Sequence, residues 1–216
     1  MDAESHLKEA VMAALRFEPG VATAPIRVTV DDDVVTLTGH VSTYVQKQAA
    51  ETVVRAVRGV QSVVDEIEVR LSEASRRTDG EIALAAKHRL AWNVALGRET
   101  IAVEVAKGWV TLSGDVDWHY QREAAKDDVR RLVGVVGVSN LICIRPVVDA
   151  AGMEESIRLA LQRLWYFDAN AVHVAARGGV VKLSGEVRTP HARQLAASMA
   201  WAARGVMDVE NDIVIV

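Results

Sequence analysis

The stretch that decides the fold is VTLSGDV, Val110–Val116, in which apolar and small polar residues alternate up to a glycine. Alternation with a period of two is typical of a β-strand that buries one face, and we expect the glycine to end it. Nearly the same seven residues occur twice more, as VTLTGHV at Val35–Val41 and VKLSGEV at Val181–Val187. The chain of 216 residues therefore contains one pattern in three copies.

A second glycine follows each copy at a constant distance of 20 residues. The pairs are Gly39 and Gly59, Gly114 and Gly134, and Gly185 and Gly205. A fixed spacing in three copies indicates an internal repeat, and the separations of 75 and 71 residues are too long for a solenoid unit. We therefore predict three small domains, at residues 4–72, 78–147 and 152–216.

Each copy changes from helical to strand periodicity in the same order. In the middle copy, Ile82, Ala86 and Leu90 have the spacing of one helix face. Residues 101–105 then alternate as a strand, and Gly108 marks a hairpin turn before VTLSGDV. A second helix and a last strand complete the unit, and the crossover through that helix makes the last two strands parallel. The sequence thus predicts an α+β protein of three tandem α-β-β-α-β domains, each a three-stranded mixed sheet covered on one face by two helices.

The second helix of each copy has predicted signals at both ends. Capping residues are expected at its start and a glycine at its end. The predicted caps are Thr43, Asp117 and Thr189, the last followed by Pro190 at the first helical position. The predicted end glycines are Gly59, Gly134 and Gly205.

The repeated pattern I-x-V-x-V…V-T-L-S-G-x-V…A…V-x-G-V-x-x-V-x-N-x-I-x-V resembles the BON (bacterial OsmY and nodulation) domain. The match is fullest in residues 101–144, which include Asn140, and nearly as full in residues 172–215, which include Asn211. In the first copy Asp65 replaces that asparagine. The resemblance implies tandem α-β-β-α-β modules, an association with osmotic and envelope stress, phospholipid binding and no enzymatic activity.

Composition excludes several classes of protein. Half of the residues are hydrophobic and a quarter are charged, as in globular domains. The net charge of −4 argues against a nucleic-acid-binding protein. No apolar run approaches the about 18 residues of a transmembrane helix, and the first 17 residues do not read as a signal peptide. One cysteine, Cys143, fits a reducing compartment. We expect a cytoplasmic location as written, or a periplasmic one if an export signal was removed.

Residues with catalytic or ligand chemistry are scattered. The six histidines show no metal-ligand spacing, so we expect them at the surface. Ser113 and Ser184 have no nucleophile motif, and the glycine-rich stretch at residues 178–185 matches no phosphate loop. The acidic residues 31–33 are expected to form a solvated hairpin turn rather than a cation site. We therefore predict no enzyme, no cofactor and no metal site.

The sheet faces that point away from the helices differ between copies. In the first copy this face is polar, whereas in the middle copy it is largely apolar. Its apolar members are Ala102, Ala106, Trp109, Leu141 and Cys143. Because such a face is normally covered, we predict that it packs against another copy, within the chain or from a second chain, with Cys143 buried. The alternative is a partly exposed Trp109.

Aromatic and basic residues cluster at the start of the second helix of the middle copy. They are Trp118, Tyr120, Arg122 and Lys126, with His119 between the two rings. Tryptophan and tyrosine suit the depth of a membrane interface, and nearby basic residues favour anionic headgroups. The middle third of the chain, residues 75–147, is also the basic one, with 11 Lys and Arg against 9 Asp and Glu. These four residues are therefore candidates for membrane or partner contact.

A second aromatic cluster, residues 165–167, follows the first helix of the third copy. We expect part of it to fill the core, where Val21 and Leu96 do so in the other copies.

Three functions remain in competition. The first is a non-enzymatic, stress-associated binding module that engages phospholipid headgroups or an envelope-proximal partner through the middle copy. The second is a soluble self-associating scaffold or chaperone-like protein that forms a homo-oligomer through the apolar sheet face. The third is a sensor of a small ion or ligand, for which residues 31–33 are the local candidate.

Overall fold

The computed structural model describes residues 3–97, 101–146, 149–163 and 171–216. The first repeat contains α1 (Ala3–Phe17), β1 (Ile26–Asp31), β2 (Val34–Val41), α2 (Tyr44–Arg55) and β3 (Ser62–Val69). The second contains α3 (Asp79–Trp92), β4 (Ile101–Ala106), β5 (Trp109–Val116), α4 (His119–Arg130) and β6 (Gly137–Ile144). The third contains α5 (Ala150–Gln162), β7 (Val172–Arg177), β8 (Val180–Val187), α6 (Pro190–Trp201) and β9 (Asp208–Ile215). A short 3-10 helix, Glu73–Ser75, lies between the first two repeats.

The sheets have the predicted mixed topology. Their strand orders are β1-β2-β3, β4-β5-β6 and β7-β8-β9. In the first sheet, β1 pairs antiparallel with β2, which pairs in parallel with β3. The third sheet repeats both pairings. The α+β class with three tandem mixed sheets is thereby confirmed.

The central strand of each sheet supplies the middle of each core. In VTLSGDV, Val110 and Leu112 are fully buried, as are the matching Val and Leu of β2 and β8. Each such side chain contributes about 1.5–3 kcal/mol when it is removed from water. The helices bury their apolar stripes onto the same core, for example through Val11 and Ala50 in the first repeat.

The repeated glycine does not end its strand, contrary to the prediction. Gly39 lies inside β2, which continues to Val41. It has a φ of 122°, and a Cβ at this position would collide with the carbonyl oxygen of Pro25. Gly185 has a φ of 124° and the same conflict with the carbonyl of Ala171. The glycine is therefore required by a left-handed backbone and by the close approach of the segment before the first strand.

Two of the three predicted helix caps are confirmed. Thr43 and Gln46 form a capping box at the start of α2, and the Thr189 side chain accepts from the backbone N–H of Ala192 ahead of α6. The prediction was wrong for α4, because Trp118, rather than Asp117, directly precedes it.

The chain forms two compact units by internal contacts. The first comprises residues 1–89, 104–111 and 128–139, and the second comprises residues 90–103, 112–127 and 140–216. The middle repeat thus contributes segments to both. Among the described helices, none combines the length and the hydropathy that crossing a bilayer requires.

Candidate functional site: an aromatic groove in the second unit

A groove in the second unit lies between the start of α4 and the end of α6. Its lining residues are Trp118, His119, Tyr120, Ser198, Trp201 and Ala202. The groove has a volume of about 740 Å³, which lies within the range of about 300–1,000 Å³ found for small-molecule sites. We call it the aromatic groove, because four of its six lining residues carry a ring.

The rings form two pairs. The imidazole of His119 stacks on the indole of Trp201, with ring centroids 3.9 Å apart and an interplanar angle of 29°. The rings of Trp118 and Tyr120 have centroids 6.2 Å apart and are tilted by 37°. Tyr120 is 51% exposed, whereas Trp118 and Trp201 are half-buried. The groove therefore presents aromatic surface that a ligand from solvent can reach.

His119 is held in its neutral form. Burial lowers the pKa of its imidazole below the ordinary value, and the nearby Arg122 lowers it further, whereas Glu123 opposes both effects. Its Nδ1 is buried and has no hydrogen-bond partner among the described residues. The expectation that every histidine is a surface residue is wrong for His119, which lies half-buried against Trp201.

Asp117 ties the two sides of the groove together. Its carboxylate accepts from Arg145 at 3.0 Å and from Arg204 at 2.6 Å. Its backbone carbonyl accepts from the N–H of Gly205 at 3.0 Å. Although burial acts to raise it, these two arginine hydrogen bonds bring the pKa of Asp117 below its ordinary value. The segment after α6 is thereby fixed to the start of α4.

The four predicted contact residues divide into two groups. Trp118 and Tyr120 line the aromatic groove, whereas Arg122 and Lys126 lie half-buried further along α4 and are not among its lining residues. The Nε of Arg122 is buried without a hydrogen-bond partner in the described part of the chain. The spacing of four residues places Trp118, Arg122 and Lys126 along one side of α4.

The third-repeat side of the groove was not predicted. Trp201 occupies the repeat position of Arg130, which lies 71 residues earlier. Within the first unit, Arg130 donates a hydrogen bond to Gln48 at 2.8 Å. A comparison of the copies position by position shows this exchange of arginine for tryptophan, and that signal could have found Trp201.

The five apolar residues predicted at an interface are all exposed. Ala102, Ala106, Trp109, Leu141 and Cys143 have exposed side chains, with Trp109 at 48% and Leu141 at 62%. They are therefore not covered within the described chain, and Cys143 is not buried there, contrary to expectation. A local contact explains Trp109, whose ring leaves no room for a Cβ on Gly137 and whose Nε1 donates to Ser139 Oγ at 2.8 Å. Cover by a second chain stays a prediction.

The acidic turn gathers three carboxylates. Oxygens of Glu4, Asp31 and Asp32 lie within 4.8 Å of one another, and all three residues are exposed. Asp32 and Asp33 have positive φ, as residues of a tight hairpin turn do. Exposed acidic groups of this kind are common without a metal ion.

Of the predicted core fillers, Val21 and Leu96 are buried. Residues 165–167 lie outside the described residues.

The fold defines a class of protein, namely tandem α-β-β-α-β modules with a mixed three-stranded sheet. The chain belongs to the BON domain family, whose model matches residues 3–70, 78–146 and 149–216. This confirms the resemblance found in the sequence, whereas the finer domain boundaries given above stay predictions.

Similar proteins are found among characterised sequences and solved structures. The chain is 33% identical to osmotically-inducible protein Y of Escherichia coli (strain K12) over 141 residues, which are 63% of this chain and 70% of that protein. It is also similar to CdsD, a structural protein of the type III secretion system of Chlamydia trachomatis, with 18% identity, a TM-score of 0.28 and coverage of 98% and 92% of the two chains. The C-terminal domain of CdsD gives 17% identity and a TM-score of 0.26 over 100% of both chains. These TM-scores are too low to support an argument.

Proposed function

We propose that this chain is a non-enzymatic binding protein of the osmotic-stress response, and that its middle repeat engages phospholipid headgroups. Its membership of the BON domain family and its similarity to osmotically-inducible protein Y support the first part. The observation that carries the second part is the row of Trp118, Arg122 and Lys126 along α4, with the half-exposed Tyr120 beside it.

The chemistry of this row suits an anionic membrane surface. Tryptophan and tyrosine rings place their apolar body among the headgroups and leave their polar tip in water. A basic side chain near an anionic surface contributes about 1 kcal/mol, so Arg122 and Lys126 together supply about 2 kcal/mol. Such binding is weak, requires anionic lipid and falls as salt rises.

Vesicle co-sedimentation tests this proposal. The protein should pellet with vesicles that contain phosphatidylglycerol and stay in the supernatant with vesicles of phosphatidylcholine alone. Replacing Arg122 and Lys126 by glutamine should abolish the difference. The matched control replaces the exposed Lys8 and Lys87, which removes the same charge elsewhere. Equal and negligible binding to both vesicles would overturn the proposal.

Self-association is a second candidate function, favoured by the exposed apolar side chains of β6. Leu141 is 62% exposed and Cys143 follows it on the same side of the strand. If this side joins two copies of the chain, light scattering will give the mass of a dimer that Leu141→Lys converts into a monomer. A strict monomer at millimolar concentration contradicts this function.

A further inference from the structure

We propose that the aromatic groove binds a small, hydroxylated quaternary ammonium compound of the choline type. This ligand differs from a phospholipid headgroup in an anionic membrane, and the inference does not depend on membrane binding.

The ring geometry is the first argument. A quaternary ammonium group has no N–H to donate, and its charge is attracted to ring faces within about 6 Å of the ring centroid. The centroids of Trp118 and Tyr120 are 6.2 Å apart, so one cation can lie within that distance of both. On the opposite side of the groove, the stacked pair of Trp201 and His119 adds further aromatic surface.

The charge of the groove is the second argument. Among the described lining residues none is Lys or Arg, and burial keeps His119 neutral. The adjacent Asp117 is paired with Arg145 and Arg204, which compensates its charge. An anionic ligand would therefore meet no cationic side chain in the lining, whereas a cation meets the electron-rich ring faces.

Ser198 selects among quaternary ammonium compounds. Its hydroxyl donates to the carbonyl of Gln194 at 3.1 Å, so only its acceptor lone pairs face a ligand. A ligand hydroxyl can donate to this oxygen, but a ligand carboxylate cannot. The groove should therefore bind choline more tightly than glycine betaine.

The departure of this repeat from the other two is the third argument. Thr43 and Thr189 cap the equivalent helices with their side-chain oxygens, but Trp118 has no oxygen to offer. Gln121 alone keeps half of the arrangement, since its Oε1 accepts from the backbone N–H groups of Asp117 and Trp118. An indole at this position weakens the helix start, and a ligand site gives it a role.

The test is a calorimetric titration of the full chain with choline chloride at constant ionic strength. Its neutral isostere, 3,3-dimethylbutan-1-ol, keeps the shape and the hydroxyl but lacks the charge. We expect choline to bind at least tenfold more tightly than the isostere and severalfold more tightly than glycine betaine. Equal affinity for choline and the isostere overturns the proposal, because it would show simple apolar binding.

Variants locate the site. Trp118→Thr restores the cap of the other repeats, so it should fold at least as well and lose choline binding by tenfold or more. Trp92→Leu, which removes an indole that is 86% exposed on α3, is the control and should leave binding unchanged. Unchanged binding in Trp118→Thr overturns the proposal, as does binding to phosphatidylcholine vesicles without binding to free choline. Anionic vesicles test the proposed membrane function separately.

Discussion

The imidazole of His119 shows how one side chain can report on the groove. Its ring is half-buried against Trp201, and its Nδ1 has no partner among the described residues. Such an environment stabilises the uncharged imidazole, because the charged form would lose hydration without gaining a hydrogen bond.

The first prediction concerns the titration of His119. Its pKa, followed by NMR, should lie below the ordinary value of about 6.5, and Trp201→Ala should raise it towards that value. Because the folded pKa is the lower one, the unfolded chain binds the proton more readily. The stabilising effect is therefore complete above about pH 6.5 and is lost as the pH falls from there towards the folded pKa. A pKa above the ordinary value would contradict the burial of this ring.

The second prediction concerns Gly39. Gly39→Ala should reduce the free energy of unfolding by about 3 kcal/mol, since left-handed strain costs about 1–3 kcal/mol and the new methyl group also meets the Pro25 carbonyl. Gly80→Ala is the control, because that glycine lies in α3 and a methyl group added to it would meet no heavy atom within 4 Å. Urea denaturation compares them. Equal stability of the two variants would show that the close approach is absent.

Helix starts carry the third prediction. Thr189→Ala should lower the free energy of unfolding by about 1 kcal/mol, because the N–H of Ala192 loses its acceptor. Trp118→Thr should raise it by a similar amount, which thermal denaturation measures. A loss of stability in Trp118→Thr would mean that the indole supports the fold rather than a ligand.

The elements themselves could be predicted from the sequence, because periodicities of 2 and 3.6 are properties of neighbouring residues. The role of the repeated asparagine could not. Asn140 donates to the carbonyl of Arg122, and Asn211 donates to that of Arg193, so each ties the last strand to the second helix. In the first repeat Asp65 cannot donate, and Lys47 lies 3.5 Å from its carboxylate instead. This compensation depends on two segments meeting in space.

The groove was predicted only on one side for the same reason. Trp118 and Tyr120 lie close together in the chain and outside the core pattern, so local reasoning found them. Trp201 comes from another repeat and meets His119 only through the packing of α4 against α6. A pattern search within one copy carries no information about such a contact.

The fourth prediction concerns the assembly of the second unit. Arg204→Ala removes the 2.6 Å hydrogen bond to Asp117 that fixes the end of α6. Choline affinity should fall severalfold while the isostere discrimination remains, since the rings are still present. Complete loss of discrimination would instead assign Arg204 to ligand contact.

Acid should loosen the same link. The pKa of Asp117 lies below its ordinary value, so the stabilisation by its two arginines is present above about pH 3.9. It is lost as the pH falls through the lower, folded value. Asp117→Asn should therefore make the stability of the second unit less dependent on pH in this range, as acid titration of the circular dichroism signal will show.

The division of the middle repeat between two units has a consequence for the gene. Recombination that adds or deletes one copy of the coding sequence cuts at repeat borders, yet each compact unit draws part of its residues from the middle copy. Losing that copy would remove material from both bodies at once, including Trp118 and Asp117. Expansion or contraction of this array is therefore far more damaging at its centre than the regularity of its letters implies.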